Sequence, residues 1–402
     1  MTQTSPAISS PGRVDAFFGL SLHIIGVVFF ARFIIDIGTR MLYPFIPQIS
    51  AGLGLTVVGF GWLLFFRALV GVAGPIFGIW SDRHGRRQLM TLALLLQAFS
   101  VVGTAFSWQG WSAIPIILSG LSVAAFVPAQ QAYISDRVPY QKRGRALASI
   151  EFAWSSSAVV ALPIFGWMID TLGWRVPFIS LSLLSLIGVL VVWWQLPPAA
   201  KRQTQTDFAG PASRTLLLRR NVLSAVGVAL LVFVAASAYL TVWGIWLTAE
   251  FGFDPVALGL VGTGIGLAEL TGAGLASLFI DRIGKKRGTL GVLIILMMGL
   301  LLLPLTQSLA PAAIIALIGL GTLFEFTIVS LIPLFSEQAP EARGTVMALV
   351  FFGVSIGSAI GTPVATLAWD NFGLATVTTI AAGCLLLAFG LTWNFLIEVE
   401  GD

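Results

Sequence analysis

Six ionisable side chains stand within long apolar stretches of this 402-residue chain. They are Arg32, Asp36, Arg67, Glu151, Glu269 and Glu325. A charged group near the centre of a bilayer costs about 2.5–3.5 kcal/mol on insertion scales, so such residues are candidates for moving protons, ions or substrates. Carboxyl groups suit reversible protonation, whereas guanidinium groups suit ion pairing or anion binding.

Arg32 and Asp36 are four residues apart, which places them on one helix face together with Arg40. An arginine that precedes an aspartate at this spacing is the weaker order for a pair within a helix. Arg67, at similar depth on the next apolar stretch, is an equally plausible partner for Asp36. The group could also be a purely structural buried ion pair, and the sequence leaves these alternatives open.

Glu269 and Glu325 stand near the middle of their apolar stretches, whereas Glu151 lies nearer to one end. We expect Glu269 and Glu325 to lack a cation partner, because neither their own nor the adjacent stretches carry a basic residue. Burial without a partner favours the neutral form of a carboxyl group, which suits proton coupling. Glycines around Glu269 also allow a structural role in close helix packing. The three mid-stretch acids exceed the two arginines by one charge, which a proton or cation could balance.

The composition indicates a membrane protein, because 57% of the residues are hydrophobic and only 10% are charged. Soluble domains carry about 25% charged residues. A bilayer span needs about 20 apolar residues, and the chain contains twelve such runs. They lie near 18–46, 55–80, 88–107, 112–135, 146–169, 175–196, 222–249, 256–280, 288–307, 311–336, 344–369 and 373–397.

One long polar stretch divides the spans into two sets of six. We predict an N-terminal bundle over 1–196, a linker over 197–220 and a C-terminal bundle over 221–402. Most of the 22 Lys and Arg residues fall at the N-terminus, in the linker and in the loops after spans 2, 4, 8 and 10. Basic loops remain in the cytoplasm, so we predict cytoplasmic termini, with Arg40 and Arg175 on the opposite side. The excess of basic residues therefore indicates how the chain is oriented in the membrane, and we predict no nucleic-acid partner.

A motif in the loop after span 2 recurs about 200 positions later. The first copy contains Gly78, Asp82, Arg83, Gly85, Arg86 and Arg87, and the second contains Asp281, Arg282, Gly284, Lys285 and Lys286. A second pair of loops has the same offset: Asp136, Pro139 and Arg143 after span 4 match Glu337, Pro340 and Arg343 after span 10. Two signatures at one offset indicate parallel repeats, related by an axis along the membrane normal.

With these motifs, the sequence resembles the major facilitator superfamily over nearly its whole length. The run from Gly78 to Arg87 is similar to the family's signature, and Ser277 replaces the first glycine in the second copy. The resemblance implies an all-α membrane protein with twelve transmembrane helices in two pseudo-symmetric six-helix bundles, working by alternating access. In character the chain is closest to drug/proton antiporters. It departs from them in span 4, which offers Gln130 but no basic residue.

The motif residues of the first half are expected to form part of a cytoplasmic gate. Asp82 ends its helix, where the helix dipole is unfavourable for an anion, so it should face a positive group. The resemblance implies that this group is the start of span 11 near Gly344, and that Arg86 pairs with Asp136.

The repeat predicts matching contacts in the second half. Asp281 is expected to face the start of span 5 near Gly144, with Lys285 or Lys286 near Glu337. These contacts are predicted to hold the cytoplasmic side shut and to break when it opens. The alternative is a solvated loop that only sets topology.

Three aromatic residues share one face of span 7. Tyr239, Trp243 and Trp246 recur at spacings of four and three. They could line an aromatic wall of a substrate cavity, or they could pack against lipid or into the core.

These observations predict a proton-coupled secondary transporter of the plasma or inner membrane that functions as a monomer. The leading hypothesis is export of small lipophilic or cationic compounds in exchange for protons. One alternative uses Arg32 and Arg67 to bind an anionic metabolite or a lipid head group, and another is a non-transporting receptor on the same scaffold. The sequence offers no catalytic triad, phosphate loop or metal-ligand cluster, so we predict no enzyme activity, metal or cofactor.

Overall fold

The computed structural model describes residues 18–107, 111–198 and 219–398. Within these ranges the chain forms α-helices and short 3-10 turns, with no strand. The helices are α1 (Leu22–Arg40), α2 (Ile46–Gly52), α3 (Val57–Leu69), α4 (Gly74–His84), α5 (Arg86–Ala105), α6 (Ala113–Ser135), α7 (Tyr140–Leu172), α8 (Arg175–Gln195), α9 (Arg220–Phe251), α10 (Pro255–Ile283), α11 (Lys285–Leu302), α12 (Ala310–Ser336), α13 (Arg343–Phe372) and α14 (Leu374–Phe395). We call α1–α8 the N half and α9–α14 the C half. Most of the predicted linker, residues 199–218, lies outside the described ranges.

The number of spans agrees with the sequence prediction. Among the described residues, eleven helices are each long and apolar enough to cross a bilayer, and the count reaches twelve when the bent pair Ile46–Gly52 and Val57–Ala73 is taken as one span. The predicted second span has a further interruption, because a 3-10 turn at Val70–Ala73 separates α3 from α4.

The internal repeat is visible in the backbone. Gly85 ends α4 and begins α5 with φ +102°, and Gly284 ends α10 and begins α11 with φ +94°. Residues with a Cβ rarely adopt such positive φ values, so glycine is required at both sharp turns. We call the side of the molecule that carries these turns the basic face, and the other side the opposite face.

Capping side chains fix the helix starts at the opposite face. The Thr56 hydroxyl accepts a hydrogen bond from the Gly59 amide at 3.0 Å, and the Asp254 carboxylate accepts one from the Ala257 amide at 2.7 Å. Such caps satisfy amide groups that have no partner within the helix. They begin α3 and α10, which belong to different halves.

Glycines allow the two halves to touch along α7 and α10. A methyl group placed on Gly166 would lie 2.2 Å from the Pro255 carbonyl oxygen, and one on Gly259 would lie 2.6 Å from the Leu162 carbonyl oxygen. The helix backbones are therefore in direct contact, as small residues permit in membrane bundles. All four positions lie in the parts of α7 and α10 nearer to the opposite face.

Two further contacts between the halves lie toward the same face. A methyl group on Gly244 of α9 would approach the Pro44 carbonyl oxygen to 2.4 Å, and one on Gly61 of α3 would approach the Thr366 hydroxyl to 2.3 Å. Toward the basic face, by contrast, methyl groups on Gly78 of α4 and Gly274 of α10 would meet no described atom within 4 Å beyond their own helix and chain neighbours. These close approaches therefore join the halves toward the opposite face.

Replacing Gly244 with valine is expected to separate the halves at the opposite face, because the branched side chain cannot fit against the Pro44 backbone. Spin labels on cysteines at Ala51 and Ala249, in a background with Cys384→Ser, would report a longer distance between α2 and α9. The matched control is Gly390→Val, since Gly390 has open space around it. An unchanged distance in Gly244→Val would contradict this account of the packing.

Candidate functional site

Six ionisable residues within the spans form one cluster between the halves. It consists of Arg32, Asp36, Arg40 and Glu151 from the N half and Glu269 and Glu325 from the C half. We call this set the charge cluster. Five of its members were candidates from the sequence, and Arg40 was not.

Arg32 holds the N-half part of the cluster together. Its Nε lies 2.9 Å from both carboxylate oxygens of Asp36, and its Nη2 donates to Glu151 at 3.1 Å. Its Nη1 donates to the Gln130 side-chain oxygen at 3.2 Å. Asp36 therefore pairs with Arg32 on its own helix and not with Arg67, the other partner that the sequence left open. All three guanidinium nitrogens of Arg32 are in use.

Arg40 connects the two halves. Its Nη2 donates to the Glu269 carboxylate on α10, and its guanidinium carbon lies 4.5 Å above the centre of the Trp154 ring on α7. The expectation that Glu269 lacks a cation partner is therefore wrong. That expectation considered only adjacent spans, whereas α1 and α10 meet across the interface of the halves.

Arg40 ends α1, as expected, and its side chain is buried, with only 4% exposed. Its spacing of four from Asp36 was the signal that it belongs to the buried face. Its Nε and Nη1 have no hydrogen-bond partner among the described residues. The residue borders a small cavity of about 10 Å³, near the smallest volume that holds one water.

Glu325 is the cluster member without a bonded partner. The described residues give it no ion pair or hydrogen bond, as the sequence analysis expected. Its Cβ lies 3.1 Å from a methyl group placed on Gly272, one helical turn beyond Glu269 on α10. Glu269, Arg40 and Glu151 are all close enough to interact with it electrostatically.

The charge cluster contains more acids than bases. Four carboxyl groups face two guanidinium groups, so the fully ionised cluster would carry a formal charge of −2. Its end toward the basic face is open, since the Glu151 side chain is 47% exposed. Its end at Arg40 and Glu269 is closed, with the Glu269 side chain 7% exposed. No group of three His, Cys, Asp or Glu in the described ranges is arranged to bind a metal ion.

Arg67 lies apart from this cluster. It is buried, its Nε donates to the Ser119 hydroxyl at 2.9 Å, and its Nη2 donates to the Thr39 hydroxyl at 2.8 Å. No ion pair joins it to a carboxylate in the described part of the chain. Its predicted alternative role as partner of Asp36 is therefore wrong.

The aromatic face of α9 is buried. The Tyr239 hydroxyl donates to the Leu317 carbonyl oxygen at 2.7 Å, and its ring lies 5.1 Å from that of Phe324. Trp243 borders the small cavity at Arg40, and Trp246 is completely buried. The lipid-facing alternative is therefore wrong. In this conformation the three rings belong to the packed core and form no open wall.

The described gate residues of the N half form several bonds within their own half. Arg86 donates to Ser81 at 2.9 Å and forms the predicted contact with Asp136 at 3.5 Å. Arg87 donates to the Leu196 carbonyl oxygen at 2.9 Å, which ties the end of α8 to this turn. Arg143 donates to the Val138 carbonyl oxygen at 3.0 Å, whereas Arg83 is exposed.

The gate of the C half repeats this arrangement. Lys285 pairs with Glu337, as predicted, and Lys286 donates to the Leu396 carbonyl oxygen at 2.8 Å. Glu398 accepts from the Lys285 and Lys286 amides at 2.5 and 3.1 Å and so caps the start of α11. Arg282 and Arg343 are exposed.

Both predicted gate pairs are present. The pairs formed by Arg86 with Asp136 and by Lys285 with Glu337 each lie within one half. They fix the helix ends of that half. The side chains of Asp82 and Asp281 lie outside the described part of the structure, so their contacts between the halves stay a prediction.

Arg40→Ala is expected to destabilise the protein by about 3–5 kcal/mol, because it leaves the buried Glu269 carboxylate without its cation. Combining it with Glu269→Gln removes that charge and should recover most of the loss. Unfolding in detergent of the two single variants and the double variant would measure this coupling. The exposed Arg343→Ala is the control with little effect, and simply additive losses would contradict a buried ion pair.

Comparison with known proteins agrees with this architecture. Residues 28–245 and 225–401 match the Major Facilitator Superfamily. The chain is 26% identical to Multidrug resistance protein 2 of Bacillus subtilis (strain 168), over 63% of this chain and 66% of that protein. It is 24% identical to the Multi-drug resistance efflux pump PmrA homolog of Lactococcus lactis subsp. lactis (strain IL1403), over 64% and 65%. The chain thus spans just under two thirds of the length of these two relatives.

Among solved structures, a D-xylose-proton symporter superposes with a TM-score of 0.78 at 19% identity, covering 94% of this chain and 98% of that one. At this identity the likeness concerns the fold. The family match extends over both halves, and the described helices supply the expected number of spans. The chain therefore belongs to the major facilitator superfamily and is a multi-pass transporter of the plasma membrane, not an enzyme.

Proposed function

We propose that the protein is a proton-coupled transporter that exports small lipophilic or cationic compounds in exchange for protons, by alternating access. The observation that supports this proposal most strongly is the excess of carboxyl groups in the charge cluster. A surplus of two negative charges is costly in a low-dielectric interior. Protons or a bound cation can neutralise them.

Exchange follows from competition for the same oxygens. A carboxyl group that holds a proton cannot also form an ion pair with an organic cation. Glu325 is the member without a bonded partner, and Glu151 gives the cluster its exposed end. A cationic substrate that enters from this end would displace protons, and protons would displace the substrate on the other side of the membrane.

The relatives support the direction and the class of cargo. Two of them are named as multidrug resistance or efflux proteins. We place the basic face in the cytoplasm, because Lys and Arg concentrate there. In that orientation the exposed end of the cluster receives substrate from the cell interior. The proposal treats one chain as the functional unit.

A second candidate function is transport of an anion, and one observation favours it. Arg67 is a buried cation that bonds only to hydroxyl groups among the described residues. Arg32, which the sequence analysis paired with it for this role, is already saturated by two carboxylates and a glutamine. An anion site would therefore have to use Arg67 alone.

Neutralising the central acids should abolish gradient-driven export. In everted vesicles with an imposed pH gradient, Glu325→Gln and Asp36→Asn are expected to reduce accumulation of a fluorescent cationic dye by at least about tenfold, because neutral side chains cannot exchange protons. Glu250→Gln, at the exposed end of α9, is the matched control and should transport normally. Full activity in both cluster variants would contradict the assignment.

Paired ligands separate the two candidate functions. We expect Arg67→Gln to retain binding of a lipophilic cation and Asp36→Asn to lose it, as measured by tryptophan fluorescence of the purified protein. A matched lipophilic anion should bind neither form tightly. Tight anion binding that disappears in Arg67→Gln would instead establish the second candidate.

A further inference from the structure

We infer that Glu269 carries a transported proton and that Arg40 expels this proton when the halves close at the opposite face. The two side chains are paired in the conformation described here. When the halves separate at that face, the pair breaks and Glu269 takes up a proton. This inference rests on the proposed proton coupling and assigns it to a particular pair.

The pair must break during alternating access because it joins the two halves. Arg40 ends α1 in the N half, and Glu269 lies on α10 in the C half. The close approaches of α7 to α10 and of α9 to the Pro44 backbone lie toward the opposite face, near this pair. Opening the protein to the opposite face separates these helices, so Arg40 and Glu269 cannot remain bonded.

After separation, Arg40 has another acceptor on its own helix. Asp36 lies one turn earlier and already interacts with Arg40 electrostatically. Arg32 can release Asp36 because Glu151 and Gln130 remain as its partners. Arg40 also has two guanidinium nitrogens, Nε and Nη1, without partners in the described chain, so a change of acceptor would satisfy donors that are unsatisfied now.

Glu269 has no such alternative. The polar and charged groups around it are Arg40 on α1, Tyr239 on α9 and Glu325 on α12. Glu151 on α7 also acts on Glu325, and Trp154 contributes only a neutral ring against Arg40. Arg40 is thus the only cation that the described residues place against Glu269, and Glu325 adds a second negative charge.

The distribution of charge between the halves also favours proton uptake by Glu269 after the halves separate. The N-half members Arg32, Asp36, Arg40 and Glu151 balance to zero, whereas the C-half members Glu269 and Glu325 carry two negative charges. After separation, the C-half part of the charge cluster therefore contains the two carboxyl groups and no cation. Proton uptake by Glu269 from the opposite-face solution neutralises one of them. When the halves close again, the O–H bond breaks, the proton leaves toward the exposed Glu151 end, and Arg40 takes its place.

Spin-label distances at several pH values test this inference without any substrate. Cysteines at Ala51 and Ala249, with Cys384→Ser, would report opening of the opposite face in lipid nanodiscs between about pH 5 and pH 9. In the otherwise native protein, acid is expected to increase the open population, because protonation of Glu269 removes the ion pair. Glu269→Gln should be open at every pH, with the ratio of open to closed molecules raised at least about tenfold at neutral pH.

Glu269→Asp is the conservative variant and should keep the pH response, which shows that the fold tolerates substitution here. The inference is overturned if Glu269→Gln remains closed, if it follows the native pH response, or if the native protein does not respond to pH. If dye export fails but the spin-label distance still responds to pH, the proposed cargo is refuted and the role of the Arg40–Glu269 pair is retained.

Discussion

The need to balance buried charge governs the centre of this molecule. Each ionised group within the spans is costly unless a partner of opposite sign lies beside it. The N-half carboxylates of the charge cluster meet this requirement internally, through the bonds of Arg32 to Asp36 and Glu151. The C half does not, because Glu269 depends on Arg40 from the other half. The relative position of the halves and the charge state of the C half are therefore linked.

The helix packing supports that link. Glycines bring α7 against α10 and α9 against the end of the first span, so the halves touch by backbone near the Arg40 pair. Toward the basic face the conserved geometry of the two repeats serves a different purpose. There, glycine turns at Gly85 and Gly284 and the bonds to the ends of α8 and α14 fix each half as a unit. Halves that are each fixed in this way and meet at a charged pair are suited to movement as whole bodies.

Much of this architecture could be predicted from the sequence. Hydropathy predicted the spans, and the repeated loop motifs predicted the two halves. The resemblance to the superfamily implied the pair of Arg86 with Asp136, and the repeat extended it to Lys285 with Glu337. The spacing of Arg32 and Asp36 gave their shared helix face. These features depend on local periodicity or on symmetry between repeats, which a single sequence contains.

The contacts between the halves could not be predicted in the same way. Arg40 and Glu269 belong to spans that are neither adjacent in the chain nor equivalent in the repeat, so no spacing rule connects them. Their pairing depends on how two complete bundles meet. The sequence likewise left open whether Asp36 pairs with Arg32 or with Arg67, and whether the aromatic face of α9 meets core, lipid or cavity, because both depend on how separate helices pack.

Infrared spectroscopy of the reconstituted protein tests the central claim most directly, because the carbonyl stretching band of a protonated carboxyl group is separate from that of a carboxylate. The account predicts that this band persists at neutral pH and weakens in Glu325→Gln, since the surplus acids of the cluster are neutralised by protons. A native protein whose carboxyl groups are all ionised at neutral pH, in the absence of any bound cation, would contradict it.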